Sequence, residues 1–174
     1  NTDDIFRMLR SGADKVSLNT AAVECPTIIS EGAERFGSQC IVLSIDALQV
    51  QGESQARWEV WTHGGRRNTG RDVLEWAVQG VRLGAGEIVM NSIDADGTRD
   101  GYDLDLLRTV AGAISVPVVA SGGAGSLVHL HDAFSRGGAH AVLAASIFHY
   151  KDFTIGQAKN YLQKQGIPMR MDYL

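Results

Sequence analysis

Short apolar runs alternate with longer amphipathic stretches along almost the whole chain, and this alternation constrains the fold more than any other feature. The apolar runs cover 15–18, 41–45, 87–90, 116–120 and 141–145. The stretches with the apolar spacing of a helix cover 26–36, 71–83, 103–114, 126–137 and 155–165. Runs that are apolar nearly from end to end are typical of strands covered on both faces. The alternation therefore predicts right-handed βαβ units and a parallel sheet.

An internal repeat refines this prediction. Its copies cover 12–20, 84–92 and 138–146, and each holds a helix-ending glycine, a strand and a hydroxyl at the far end of that strand. Repeated units with polar groups at the carboxyl ends of the strands predict an α/β fold of the (β/α)8 TIM-barrel type, in which ligands bind on that face. An open doubly wound sheet is the alternative, although no G-x-G-x-x-G follows any of the runs.

The stretch 49–70 interrupts the alternation. Residues 57–61 are typical of a short strand, with turn signals at 52–53 and 64–65. We therefore expect a hairpin inserted between a strand and its helix. No domain boundary is visible, and the 174 residues are predicted to form one domain over 1–174.

Charge and hydropathy exclude two classes of partner. The net charge of −4 gives no basic footprint for nucleic acid. No apolar run approaches the roughly 20 residues that a membrane helix needs. Cys25 and Cys40 show no pairing or metal-binding pattern, so they are expected as reduced thiols of a cytoplasmic protein. No metal and no cofactor is predicted, because the five histidines lack the spacing of a ligand set.

Two neighbouring strand ends carry the groups of a phosphate-binding cup. Ser121, Gly122 and Gly123 follow the run 116–120 and precede a helix, and Ser146 ends the next run. Glycines let backbone N–H groups approach an oxyanion closely, and a helix N-terminus adds a favourable dipole. Phosphate binding is favoured because both halves lie on the same barrel face. An ordinary glycine-rich turn is the alternative.

Other strand ends supply candidates for acid/base chemistry and for a second cup. Asp46, Asp94 and Asp96 lie just past strand ends, where partial burial raises the pKa of a carboxyl towards a useful value. Asp46 directly follows the run 41–45, whereas Asp96 precedes a glycine and also fits an ordinary turn. Asn19 and Thr20 are candidates for half of a second phosphate cup.

The strand N-termini carry a charged pair at equivalent repeat positions. Lys15 and Glu87 both start an apolar run. We therefore expect both near the opposite face of the barrel, where charged residues usually contribute to stability.

The chain resembles the cyclase subunit of imidazole glycerol phosphate synthase, a family of histidine biosynthesis. The resemblance runs in order along essentially the whole chain and is carried by 12–22, 36–39, 44–47, 84–88, 92–98, 101–103, 120–125 and 144–149. It implies that ammonia and a bis-phosphorylated ribulosyl-formimino precursor give imidazole glycerol phosphate and aminoimidazole carboxamide ribotide. The sister isomerase of the pathway shares the two-phosphate barrel, but its motifs fit less well.

The resemblance also implies residue roles. Asp46 matches one of two aspartates that share the acid/base work, and Asp96 matches a further active-site aspartate, with Asn91 and Ser92 in the same pocket. The matches to the two phosphate sites are Ser121, Gly122, Gly123 and Ser146 for one, and Asn19 and Thr20 for the other. Lys15 and Glu87 match two of the four residues of a charged gate. That gate admits ammonia from a glutaminase partner docked on the strand N-terminal face.

The resemblance further implies that barrel strands 1 to 3 are missing, and with them the second acid/base aspartate, the other gate residues and the glycine-rich half of the second phosphate cup. A full barrel has about 250 residues, so we expect a partial barrel of about five strands, corresponding to strands 4–8. Five strands cannot close a barrel, and open edges are usually relieved by pairing. We therefore expect self-association through strand 4 or strand 8. A non-catalytic phosphate-binding partial barrel and an isomerase of the sister type stay open as alternatives to a cyclase.

Overall fold

The computed structural model describes residues 1–52 and 54–171, which form an α/β fold with one mixed sheet. The strands are β1 (Val16–Leu18), β2 (Ile41–Gln49), β3 (Trp58–Thr62), β4 (Arg67–Asp72), β5 (Glu87–Ser92), β6 (Val118–Ser121) and β7 (Ala141–Val142). The α-helices are α1 (Thr2–Arg10), α2 (Thr20–Glu24), α3 (Thr27–Phe36), α4 (Val73–Arg82), α5 (Leu104–Ala111), α6 (Leu127–Ser135), α7 (Ser146–His149) and α8 (Ile155–Lys164). A 3-10 helix covers Ser38–Cys40.

Five of the strands are parallel neighbours in the order β1, β2, β5, β6, β7. Each connection between consecutive members of this series contains at least one helix, as βαβ units require. The arrangement is consistent with the predicted partial barrel. Within the described ranges, β1 pairs only with β2 and β7 only with β6, so the parallel series is open at both ends.

The predicted hairpin is confirmed as β3 and β4, which follow β2 and precede α4. β3 pairs antiparallel with the last part of β2, with Asp46 opposite Trp61. β1 pairs with the first part of β2 on the same edge, from Ile41 to Leu43. The sequence assigned residues to only one strand of this hairpin, over 57–61. β4 was missed because none of its residues is buried, and a strand without a buried face shows no apolar alternation.

Strand lengths follow pairing partners more closely than they follow the apolar runs. β2 continues past the predicted 41–45 to Gln49, because β5 and β3 pair with its second half. β7 keeps only two of the five residues predicted over 141–145, namely the two that pair with Val119 and Ala120 of β6. The short helix α2 was not predicted, because five residues are too few to show a helical period.

The repeat predicted from the sequence is visible in the backbone. Its three glycines, Gly12, Gly84 and Gly138, follow α1, α4 and α6 and have φ angles of 104°, 109° and 71°. Glycine adopts these positive angles without steric cost, so each copy ends its helix and turns into the next strand.

Helices α4, α5, α6 and α8 begin at side-chain caps. Asp72, Asp103, Ser126 and Thr154 each accept a hydrogen bond from a backbone N–H in the first turn of α4, α5, α6 and α8. Such caps satisfy N–H groups that have no partner within the helix. No helix of the described chain is long and apolar enough to cross a membrane.

Alternate residues of the parallel strands lie in two different environments. In the central strands β2, β5 and β6, one set of alternate residues packs with the helices in one apolar core; its members that are at most 1% exposed include Leu43, Ile45, Ile88, Met90, Val118 and Ala120. Because neighbouring side chains of a strand point to opposite faces, the residues between them lie on the other face. Asp46, Asn91 and Ser121 belong to this second set and are half-buried.

Candidate functional site

Polar side chains from four neighbouring strand ends form one hydrogen-bonded row. Asp46 of β2 lies at its centre. Asn19, directly after β1, donates from Nδ2 to Asp46 Oδ2 at 3.0 Å, and Asn91 of β5 donates from Nδ2 to Asp46 Oδ1 at 3.2 Å. Ser121 of β6 donates from Oγ to Asn91 Oδ1 at 3.1 Å. The row therefore connects β1, β2, β5 and β6.

Strand register brings these side chains together. Asp46 is the register partner of Asn91, and Asn91 is the register partner of Ser121. Parallel strands in register place such residues at one level and on one face of the sheet. Both carboxylate oxygens of Asp46 accept an amide N–H, so the orientation of the carboxylate is fixed before any ligand binds.

An open cavity of about 300 Å³ lies beside this row. Asp46, Asn91, Ile93 and Asp96 line it, together with two glycines of the hairpin turn, Gly64 and Gly65. The two aspartates predicted to be catalytic thus face one cavity. Asp46 is half-buried and Asp96 is exposed.

The hairpin glycines are a part of this cavity that sequence reasoning missed. Gly64 and Gly65 were interpreted only as turn signals. An insertion that follows the carboxyl end of a barrel strand lies on the ligand-binding face, and this rule was the available signal. His63 at the same turn donates its backbone N–H to Thr20 Oγ1 at 3.0 Å, which holds the turn against the start of α2.

A second cavity, of about 120 Å³, lies between β6 and β7. We call it the glycine cup; it is lined by Asp96, Gly97, Arg99, Ser121, Gly122, Gly123, Ala124, Leu143, Ala144, Ala145 and Ser146. All four residues predicted for the first phosphate site are among these. Asp96 lines both cavities, so the glycine cup adjoins the cavity that contains Asp46.

Backbone packing gives the glycine motif a reason of its own. Gly123 has a φ of +101°, and a Cβ built on it would lie 2.0 Å from the carbonyl oxygen of Gly101. Gly101 in turn donates its N–H to the carbonyl oxygen of Gly123 at 2.8 Å. The alternative of a glycine-rich turn is thus physically sound, because two loop backbones meet here.

A buried tyrosine holds the β7 side of the glycine cup. Tyr102 is 6% exposed and donates its hydroxyl hydrogen to the carbonyl oxygen of Leu143 at 2.9 Å. Burial raises the pKa of Tyr102 above its ordinary value of 10.0, so the hydroxyl stays protonated and remains a donor. Ser146 lies at the same side, with its Oγ 3.4 Å from the carbonyl oxygen of Ala124. The role of Tyr102 was not predicted from the sequence.

Asn19 and Thr20, predicted for part of a second phosphate site, contact protein groups in this structure. Asn19 is bonded to Asp46, and its Oδ1 is buried with no partner in the described part of the chain. Thr20 Oγ1 accepts the His63 N–H. Neither residue lines the glycine cup or the cavity beside Asp46, so the structure places them at the far end of the polar row.

Two candidates differ from expectation. Ser92 was expected in the same pocket as Asn91, but it is 2% exposed and shares the buried face of β5 with Met90. Adjacent strand residues point to opposite faces, so Ser92 instead accepts the Ala95 N–H at 3.3 Å. Asp94 accepts the backbone N–H of Gln49 at 2.8 Å and lines neither cavity, which gives it a structural role at the end of β2.

The charged pair Lys15 and Glu87 lies at the N-terminal ends of the strands, as the internal repeat predicts. Lys15 Nζ is 2.6 Å from Glu87 Oε2, and the two side chains bridge from β1 to β5 across β2. The lysine side chain is 48% exposed and the glutamate side chain is 20% exposed. The pair lies at the opposite strand ends from Asp46 and the glycine cup.

Potential metal-ligating side chains do not cluster in the part of the chain that the structure describes. No three His, Cys, Asp or Glu side chains within 1–52 and 54–171 are placed to hold a metal ion. Cys25 is exposed and Cys40 half-buried, and both thiols are free.

Parallel strands joined through helices, with polar side chains gathered at their carboxyl ends, define an α/β protein consistent with a partial TIM barrel. A family model described as histidine biosynthesis protein matches residues 1–154, so the chain belongs to the histidine biosynthesis protein family. The members of this family are enzymes of histidine biosynthesis and include both an isomerase and a cyclase. The matched region contains both cavities and ends just before α8.

Proposed function

We propose that this chain is a cyclase of histidine biosynthesis. The reaction converts a ribulosyl-formimino precursor and ammonia into imidazole glycerol phosphate and aminoimidazole carboxamide ribotide. One observation carries the proposal: Asp46 and Asp96 line a single cavity that adjoins the glycine cup. The choice of a cyclase over the isomerase of the same family rests on the resemblance, in which Asp46 and Asp96 match cyclase active-site aspartates and the isomerase motifs fit less well.

The polar row supports an acid/base role for Asp46. Ring closure with ammonia requires protons to be removed from one nitrogen and delivered to departing groups, and a positioned carboxylate accelerates such steps by about 10²–10⁴-fold. Asn19 and Asn91 hold the carboxylate of Asp46 in one orientation. Asp96, exposed and lining both cavities, is the further active-site aspartate of the proposal, in which Asp46 is the acid/base group.

The substrate has a phosphate at each end, and the proposal assigns the ends to different parts of the site. One phosphate binds in the glycine cup. The other binds beside Asn19 and Thr20, at the opposite end of the polar row. The reacting atoms then lie over Asp46, between the two ends.

The proposal includes two protein partners. A glutaminase docks on the strand N-terminal face, where Lys15 and Glu87 form part of a gate for ammonia. A second copy of the chain pairs with an open strand edge, since β1 and β7 each have one strand neighbour within the described ranges. An unpaired strand edge is a ready template for such pairing.

The test is turnover of the ribulosyl substrate with saturating ammonium salt, which bypasses the glutaminase. Asp46→Asn is expected to lower the turnover rate by at least about a hundredfold, because the amide cannot exchange a proton as a carboxylate does. Asp105→Asn makes the same chemical change on the exposed face of α5 and is expected to keep wild-type turnover.

The outcomes separate the proposal from its alternatives. Turnover by the wild-type chain that is lost in Asp46→Asn supports the cyclase. Conversion of the isomerase substrate in place of the ribulosyl substrate would refute it in favour of the sister activity. Retained binding of inorganic phosphate without turnover of either substrate would refute both enzymatic functions and favour a phosphate-binding partial barrel.

A further inference from the structure

One cationic side chain lies among the residues that line the glycine cup, and it belongs to Arg99. The other lining residues provide one carboxylate, Asp96, and otherwise neutral groups. A phosphate monoester carries a charge of about −1.5 to −2 at neutral pH. A nearby guanidinium is therefore the natural counter-charge for such an anion in this cup.

The backbone of Arg99 is held firmly against the cup. Its φ of +66° lies in the left-handed region, which residues with a Cβ adopt at an energetic cost unless the surrounding structure holds them there. Its carbonyl oxygen lies 1.9 Å from the position of a Cβ built on Gly125. The loop after β6 therefore packs directly on Arg99. The Arg99 side chain is by contrast 43% exposed, so its guanidinium has room to move.

The guanidinium is engaged by a carboxylate from a distant part of the chain. Arg99 Nη2 contacts Asp152 Oδ2, which lies 53 residues further along and does not line the cup. Asp152 follows Lys151, which also has a positive φ, of 63°. The Asp152 side chain is 36% exposed. Ion pairs as exposed as this one contribute little to stability, so an anion competes with Asp152 at small cost.

We infer that Arg99 is a cationic ligand for a phosphate monoester in the glycine cup, and that Asp152 holds its guanidinium until the anion replaces it. The inference rests on the proposed phosphate site and adds a binding residue to it. A guanidinium can donate two parallel hydrogen bonds to a phosphate, which favours the exchange. Anion binding then releases the segment 150–154 from the loop 97–101.

The experiment is a calorimetric titration of inorganic phosphate into the wild-type chain and its variants. Arg99→Ala is expected to weaken phosphate binding about tenfold, through loss of charge-assisted hydrogen bonds. Asp152→Asn is expected to tighten binding about threefold, because the competing carboxylate is gone. In the Arg99→Ala background, Asp152→Asn is expected to change nothing. Arg108→Ala, which breaks the exposed Arg108–Asp105 pair on α5, is the matched control with wild-type affinity.

Tighter binding by Asp152→Asn that disappears without Arg99 supports the inference, because a purely structural ion pair has no means of producing it. Weaker or unchanged phosphate binding in Asp152→Asn overturns the inference about Arg99 and Asp152, whereas the proposal that the glycine cup binds phosphate is unaffected. Absence of phosphate binding in the wild-type chain overturns both. If Arg99→Ala does not fold by circular dichroism, Arg99→Lys replaces it. Lysine keeps the positive charge but lacks the two parallel hydrogen-bond donors of the guanidinium, so phosphate binding about threefold weaker than in the wild type is expected.

Discussion

Gly123→Ala tests whether close backbone packing shapes the glycine cup. A Cβ on Gly123 would stand 2.0 Å from the carbonyl oxygen of Gly101, a separation that no ordinary contact allows. The loop after β6 and the loop before α5 must then move apart by roughly 1 Å or more to restore a van der Waals separation. That movement breaks the 2.8 Å hydrogen bond from the Gly101 N–H to the Gly123 carbonyl oxygen.

The expected loss of stability has two parts. Alanine at a φ of +101° costs about 1–2 kcal/mol of backbone strain. Loss of the hydrogen bond costs about 1 kcal/mol more. We therefore expect Gly123→Ala to lower the free energy of unfolding by about 2–3 kcal/mol, and to weaken phosphate binding because the wall of the cup moves.

Gly12→Ala is the matched control. Gly12 has a φ of +104°, and a Cβ on it would meet no atom within 4 Å. Alanine at position 12 therefore carries the same backbone strain, about 1–2 kcal/mol, but its Cβ does not approach another loop. Urea denaturation followed by circular dichroism measures both variants. Equal losses of stability in the two variants would refute the argument that the loops pack closely, and phosphate binding should stay unchanged in Gly12→Ala.

Three further predictions concern the tyrosine, the charged pair and the strand edges. Tyr102→Phe is expected to cost about 1 kcal/mol through the lost hydrogen bond to Leu143. Because burial raises the pKa of Tyr102, the contribution of its protonated hydroxyl to stability is fully present below pH 10 and is lost at higher pH. The free energy of unfolding, measured with urea, should therefore fall less between about pH 8 and about pH 11 in Tyr102→Phe than in the wild type. An equal fall in the two proteins would contradict this. A double-mutant cycle of Lys15→Gln and Glu87→Gln on the free energy of unfolding is expected to give a coupling free energy below about 1 kcal/mol, since the lysine is half exposed. A coupling several times larger would show that the pair is not screened by solvent. Light scattering is expected to show a mass that rises with concentration as strand edges pair, and a monodisperse monomer would refute self-association.

Local periodicity was sufficient to locate most helices and four of the parallel strands to within a few residues. Periodicity failed where strand pairing, rather than burial, decides whether a strand forms and where it ends. β4 has no buried residue and so no pattern to detect. β7 has only the two residues that pair with Val119 and Ala120 of β6. The length of an apolar run reports burial, whereas the length of a strand depends on what lies next to it.

The sequence by itself determined the order of strands and helices, the position of the hairpin and the gathering of polar groups at one end of the parallel strands. These properties follow from spacing along the chain, because burial imposes a period on every helix and strand. Only the tertiary structure decided which of those groups meet. Register brings Asp46 to Asn91 and turns Ser92 into the core. The contact between Arg99 and Asp152 joins residues far apart in sequence, and no local pattern encodes such a contact, because it depends on how whole segments pack.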